Sequence, residues 1–423
     1  MKRILILWFL LSVILSACTP QSSTFTTPGA FPLGKPTRLS EGMLRFLVDL
    51  PAGTPSGTGQ EIDIVILDEV TGLVINPERY PMRMVDDTHY TINIPFQIGT
   101  IIKYRYERGG SLPAKESTSN GQPVRYRLYR VDGQATVNDI VARWSDRPYQ
   151  RQTGRMQGTI IDGGTGARLP GLIITCGGMQ TTTNADGSFT LDGLPAGMQN
   201  FVAYAKDGFY LPFQQGALIG DGTLTKASFS IPHPQDRVNV VFTTSFPAET
   251  SKMAQVRLAG NLSQMGNTFS DLPGGVNGKP HSMPVLLPLK DGRYGVSFTL
   301  TPGTDLHYKY TLGDGFWNAE HDLQGRFNLR HLIVPNESTI IKDEIVTWRD
   351  GAKPPLNYDY FSPMTPTESR VTIQFYSYNW AQEIPAWSLG NHRWTYTLYS
   401  PLEILPIDFF KHRFCVNGSC GEK

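Results

Sequence analysis

Two octapeptides, Asp139-Ile140-Val141-Ala142-Arg143-Trp144-Ser145-Asp146 and Asp343-Glu344-Ile345-Val346-Thr347-Trp348-Arg349-Asp350, repeat one pattern: an Asp, a Trp five residues on, and a second Asp two further. They close two segments of similar length, residues 43–147 and 238–350. The first segment opens with Phe46 and reaches Pro51; the second opens with Phe242 and reaches Pro247. Between these ends, Gly99 and Lys103-Tyr104-Arg105-Tyr106 answer Gly303 and Lys309-Tyr310-Thr311-Leu312, with a glycine turn following at Gly109 or Gly315. Apolar residues alternate with period two at Val240 and Phe242 and at Val296, Phe298 and Leu300, and no helical 3.6-residue pattern persists beyond a turn or two. Each segment therefore reads as a β-sandwich of roughly 100 residues. Trp144 and Trp348, kept beside the last strand in both copies, read as core residues.

The whole chain agrees with that reading. Its 423 residues suit about three domains at roughly 100–200 residues each. With 42 Gly, 31 Pro, 21 Phe and 18 Tyr, the composition fits many short strands joined by tight turns and excludes an all-α protein. The expected fold class is all-β, tandem immunoglobulin-like sandwiches behind a leader. Lys and Arg number 38 against 37 Asp and Glu, and no long basic run occurs, which excludes nucleic acid as a partner.

The N-terminus gives an address. Lys2 and Arg3 precede the apolar run Ile4 to Leu15, too short to span about 30 Å of hydrocarbon unless stretched. The following Leu15-Ser16-Ala17-Cys18 resembles a bacterial lipobox, which implies a lipid on the Cys18 thiol and cleavage before it. An ordinary signal peptide with a cysteine near its cleavage site stays open. Residues 1–18 are thus a lipoprotein leader. Residues 19–40, rich in Thr, Ser, Pro and Gly, bury too little apolar surface to fold and read as a tether. The expected location is the cell membrane or outer membrane, lipid-anchored and extracytoplasmic.

Of the other cysteines, Cys415 and Cys420 flank Asn417-Gly418, a turn that brings them together, and an oxidising compartment favours a disulfide. Metal binding by this pair competes, but no second Cys or His pair stands at zinc spacing. Cys176, in the run Leu172-Ile173-Ile174-Thr175, reads as a buried small hydrophobe. No metal and no cofactor is expected.

Residues 155–232 differ from the repeats. Gly158-Thr159-Ile160-Ile161-Asp162, Thr165-Gly166, Leu169-Pro170-Gly171 and Thr183-Asn184-Ala185-Asp186-Gly187-Ser188-Phe189-Thr190-Leu191 resemble the carboxypeptidase regulatory-like domain, a prealbumin-like sandwich. The resemblance implies a scaffold rather than a catalyst. Asn184 to Gly187 reads as a turn between strands, with Phe189 and Leu191 facing the core and Thr190 outward. Asp186 belongs to that turn, since no carboxylates stand at the alternate positions calcium needs.

The second repeat, residues 236–351, carries Leu258-Ala259-Gly260-Asn261-Leu262, Met283-Pro284, Asp291-Gly292-Arg293-Tyr294, Tyr308-Lys309-Tyr310 and Trp317-Asn318-Ala319-Glu320. These resemble a family 20 starch-binding module and the related glycogen-binding domains, which implies a glucan site with Trp317 as aromatic platform and Lys309, Asn318 and Glu320 as polar partners. An aromatic face packs against sugar C–H groups for on the order of 1 kcal/mol per ring. The family's tryptophan after the Gly-Asn turn is missing, with Phe269 the nearest aromatic, and Trp317 covering a strand edge is the competing reading. The first repeat, residues 41–150, has no aromatic where Trp317 falls, so it reads as a degenerate copy. Residues 366–423 read as an incomplete sandwich. Trp380, Trp387 and Trp394 there suit a sugar groove and a sandwich core equally.

Catalysis finds no motif: there is no nucleophile elbow, zinc-protease helix, phosphate loop or barrel alternation. The eight histidines read as scattered surface chemistry. The leading expectation is a non-enzymatic, lipid-anchored binder of an α-glucan polysaccharide, or the binding arm of a longer glycan-degrading enzyme. The alternative is a structural or adhesion-type surface protein using sandwiches as spacers. The partners expected are polysaccharide and a membrane, with the oligomeric state open.

Overall fold

The computed structural model describes residues 40–55, 61–67, 78–234, 236–266, 280–313, 318–351, 354–377, 379–380, 382–400 and 411–421. The strand Glu41–Asp49 shows why the chain folds as it does: its alternation buries Leu44, Phe46 and Val48 completely and leaves Glu41, Met43 and Arg45 outside. It lies antiparallel to His89–Gln97 and parallel to the last long strand of its module, Ala135–Ile140. The facing sheet is built on Ile101–Arg108, flanked by Ile62–Ile66, Ala114–Ser117 and Arg127–Arg130.

The third module repeats the plan. Val238–Ser245 is antiparallel to Tyr294–Leu300 and parallel to Thr339–Glu344, and the facing sheet runs Arg257–Gly260, Asp305–Thr311, Arg330–Ile333. Between them, Thr153–Asp162 pairs with Ser188–Pro195 and, in parallel, with Leu224–Ile231, against a sheet of Met179–Thr182, Ile173–Cys176, Gly197–Tyr204 and Phe213–Ile219. Gly158 is obligatory there, because a Cβ would stand 1.8 Å from the Ala227 carbonyl oxygen of the parallel neighbour. Phe189 and Leu191 lie in the core and Thr190 outside. A last pair of sheets uses Leu356–Phe361, Trp387–Gly390 and Arg393–Leu398 on one side, and Val371–Ser377 with His412–Val416 on the other. Among the described residues the regular structure is strand with two short 3₁₀ turns, an all-β chain of tandem immunoglobulin-like sandwiches.

One network of charges is built twice, buried in the first sandwich and partly exposed in the third. In the first sandwich Arg127 joins Glu116 at 2.8 Å and Asp139 at 3.1 Å. The hydroxyls of Tyr104 and Tyr106 both donate to Asp139 Oδ2, at 2.8 and 2.9 Å, and the Tyr106 amide donates to Glu116 Oε1. In the third, Arg330 joins Glu320 at 2.7 Å and Asp343 at 3.1 Å, Tyr308 and Tyr310 both donate to Asp343, and the Tyr310 amide donates to Glu320. The indoles of Trp144 and Trp348, both fully buried, donate to Thr54 and Thr250. This corrects the alignment drawn from the Lys-Tyr runs: Tyr104 corresponds to Tyr308 and Tyr106 to Tyr310, two residues away from the pairing that the shared lysine suggests.

The modules are fused rather than strung. Val65, Leu67, Ile101, Tyr126 and Leu128 of the first sandwich form one small core with Ile173, Val202 and Tyr204 of the middle one. The Gln214 amide both accepts from the Arg130 N–H and donates to its carbonyl, each at 2.8 Å. Middle and third modules meet through Thr301 Oγ1 on the Phe209 carbonyl and the Ser263 amide on that of Lys206. The first and third meet where the Ile101 amide donates to Asp305. The third and last share a single core, in which Val240, Phe242 and Trp348 lie with Phe375, Trp387 and Tyr396.

Removing one member of a buried ion network strands the others in low dielectric. Arg127→Ala is therefore expected to destabilise the first sandwich by about 3–5 kcal/mol, measured by urea unfolding, whereas Arg125→Ala, outside the network, costs under about 1 kcal/mol.

Candidate functional site

The polar residues expected to hold sugar lie inside the protein. Lys309, Asn318 and Glu320 have no exposed surface. Glu320 sits under Arg330, accepting also from the Tyr310 amide and from Asn328 Nδ2 at 3.0 Å. Burial pushes its carboxyl upward against the lowering pull of Arg330. Lys309 places its ammonium 5.5 Å over the Phe327 ring. Asn318 faces the last module: its Nδ2 donates to the Tyr396 hydroxyl and the Thr397 carbonyl, and its Oδ1 accepts from the Tyr399 amide at 2.8 Å. The expectation that these three line a glucan site is thus corrected. Glu320 belongs to the core network, Lys309 is buried against Phe327, and Asn318 clasps a neighbouring module. Trp317 lies outside the described residues, as do Cys18, Phe269 and all of the 19–40 tether but its last residue.

The sequence carried a signal for Glu320 that the sugar reading did not use. Glu116 occupies the matching place in the first copy, at the same spacing from Asp139 as Glu320 from Asp343. A residue kept in a copy without the aromatic belongs to the fold. Arg127 and Arg330 carry no such mark, because the loops before them differ in length by one residue, which breaks the spacing.

The tryptophan cluster divides. Trp387 and Trp394 are core residues, whereas Trp380 is 37 % exposed, with the Arg413 guanidinium 4.1 Å over its ring and Tyr376 against its edge. Cys415 and Cys420 are joined by a disulfide across a two-residue hairpin in which Asn417 and Gly418 both take positive φ, 51° and 82°. Cys176 is buried and free, its thiol pushed up to about 12 by desolvation. Asp186 accepts from the Ser188 amide at 3.0 Å within its own turn.

The histidines are not all surface groups. His321 is 2 % exposed, its ring tilted against Phe327 at 4.7 Å, and desolvation lowers its pKa to about 4. His307 and His331 stand opposite each other on neighbouring strands, rings stacked at 4.5 Å, with Asp305 between them and the first sandwich. Burial disfavours the Asp305 carboxylate, but the two histidines outweigh it and hold its pKa below the ordinary range.

No protein-family model and no curated protein matches the chain. Solved structures similar to it include a streptococcal ancillary pilin, 13 % identical over 72 % of this chain and 99 % of that one, with a TM-score of 0.25. The Bacillus anthracis TIE protein is 12 % identical, covering 90 % of this chain and 63 % of that one at a TM-score of 0.19. A family 15 glucoamylase from Hypocrea jecorina is 15 % identical over 27 % of this chain and 18 % of that one, also at 0.19. At such scores none of them bears on what this chain does. Among the described residues no helix is long and apolar enough to cross a membrane.

Two outcomes are expected. Asn318→Ala removes three hydrogen bonds to the last module and should raise amide exchange along Arg393–Leu398, at a cost of about 2–3 kcal/mol. As pH falls from 7 to 4.5, unfolded chains take a proton on His321 near its ordinary value of about 6.5, while folded ones resist until about 4. Stability should therefore fall by about 2–3 kcal/mol from this group, a slope that His321→Gln removes in urea midpoints taken across the range.

Proposed function

We propose that the chain is a non-catalytic structural or adhesion-type protein of the cell envelope, in which sandwich modules are fused into one stiff arm. The observation that carries this reading is the continuity of packing at the module junctions, where small cores and side-chain clasps replace flexible linkers. Domains that merely need to reach a ligand are joined by exposed polar linkers and move relative to one another. Fused modules transmit position and load instead. The leader and tether supply the rest: a lipid on Cys18 holds the arm to a membrane, and residues 19–40 let it stand clear of the surface. What it contacts is then a surface matter, for other proteins rather than a small ligand.

The glucan-binding reading keeps only Trp317 of its four residues. Native electrophoresis of the soluble chain from Phe25 onward, in gels cast with amylopectin, is expected to show no slowing relative to gels without glucan. Slowing of the wild type that Trp317→Ala relieves would reinstate glucan binding and remove the spacer reading.

A further inference from the structure

We infer that Asp305, His307 and His331 form a binding site for a divalent transition-metal ion, with Zn²⁺ the best match to two imidazoles and one carboxylate. The inference is independent of the spacer reading.

The site is written into the strand ladder. Asp305 and His307 are two apart on the strand Asp305–Thr311, so both project from one face, and His331 on Arg330–Ile333 is the direct cross-strand partner of His307. The atoms converge accordingly. His331 Nε2 lies 2.6 Å from Asp305 Oδ1, and His307 Nε2 lies 3.2 Å from the same oxygen. All three ligand atoms fall within 4.8 Å of one another. A tetrahedral ion with bonds of about 2.0–2.2 Å spaces its ligands by roughly 3.3 Å, so to admit it the Asp305–His331 contact opens from 2.6 Å and the two stacked rings splay until both nitrogens face the ion.

The surroundings suit a metal as well. The Asp305 side chain is 1 % exposed, while those of His307 and His331 are 29 % and 28 % exposed, which leaves a solvent-facing side for entry and for a bound water. The second oxygen of Asp305 accepts the Ile101 amide of the first sandwich at 2.6 Å, the kind of outer contact that fixes a ligating carboxylate. A bound ion would thus hold the junction between the first and third modules.

The first sandwich supplies an internal control. Its ladder pairs Lys103 with Leu128 where the third pairs His307 with His331, and Ile101 stands where Asp305 does. The sandwich therefore folds without these ligands, whereas it keeps the Arg-carboxylate network in both copies. Among the described residues the other convergence of ligand-type groups, Glu383 with Cys415 and Cys420, has its sulfurs already bonded to each other and offers no thiolate.

The test uses the full chain in mild detergent, stripped with EDTA and titrated with Zn²⁺ by calorimetry and with Co²⁺ by visible absorption. Wild type is expected to bind one equivalent, to show the d–d bands of low-coordinate Co²⁺, and to gain thermal stability with rising Zn²⁺. His331→Gln and His307→Gln should each weaken binding by about tenfold or more and lose the Co²⁺ bands. Both histidines are partly exposed, so metal-free melting temperatures near wild type would show the variants folded; if His307→Gln does not fold, His331→Gln carries the comparison. Absence of a stoichiometric site in wild type, or equal binding and equal Co²⁺ spectra in wild type and the histidine variants, overturns the inference.

Discussion

An arginine held between two carboxylates organises both repeated sandwiches, buried in the first and partly exposed at Arg330 and Asp343 in the third. Arg127 and Arg330 each cross from one strand to reach a Glu on a second element and an Asp on the strand that closes the opposite sheet. That Asp also receives two tyrosine hydroxyls from the central strand, so one ionic centre ties the two layers of a sandwich in one register. Charges placed there are costly to bury unless every partner is present, which makes the network intolerant of partial loss. Alternating apolar residues would fill a sandwich core in several registers; the network admits one.

Around these two centres the chain removes the freedom that tandem modules usually keep. The middle sandwich shares apolar surface with the first and backbone clasps with the third, and the last module shares a core with the third. Asn318 shows how this changes the meaning of a residue. Next to a tryptophan in the sequence it looks like a sugar ligand, yet its amide is consumed by the Tyr396 hydroxyl and by backbone of the neighbouring module. A short polar side chain that satisfies three buried groups at once acts as a joint.

Legible in the residues alone are the all-β class, the duplication, the buried Trp144 and Trp348, the buried Cys176 and the hairpin that closes the Cys415–Cys420 disulfide. These follow from local rules: period-two alternation, turn residues that tolerate positive φ, and marks repeated at fixed spacing. Tertiary structure alone decided which polar residues face solvent. Glu320 and Lys309 sit in sequence that suits a binding surface and a buried network alike; Arg330, from the strand paired with Asp305–Thr311, draws Glu320 inward, while Lys309 turns its ammonium to the Phe327 ring. The same holds for Asp305, His307 and His331: more than twenty residues separate the two histidines, and strand pairing, which no short-range spacing encodes, sets them face to face.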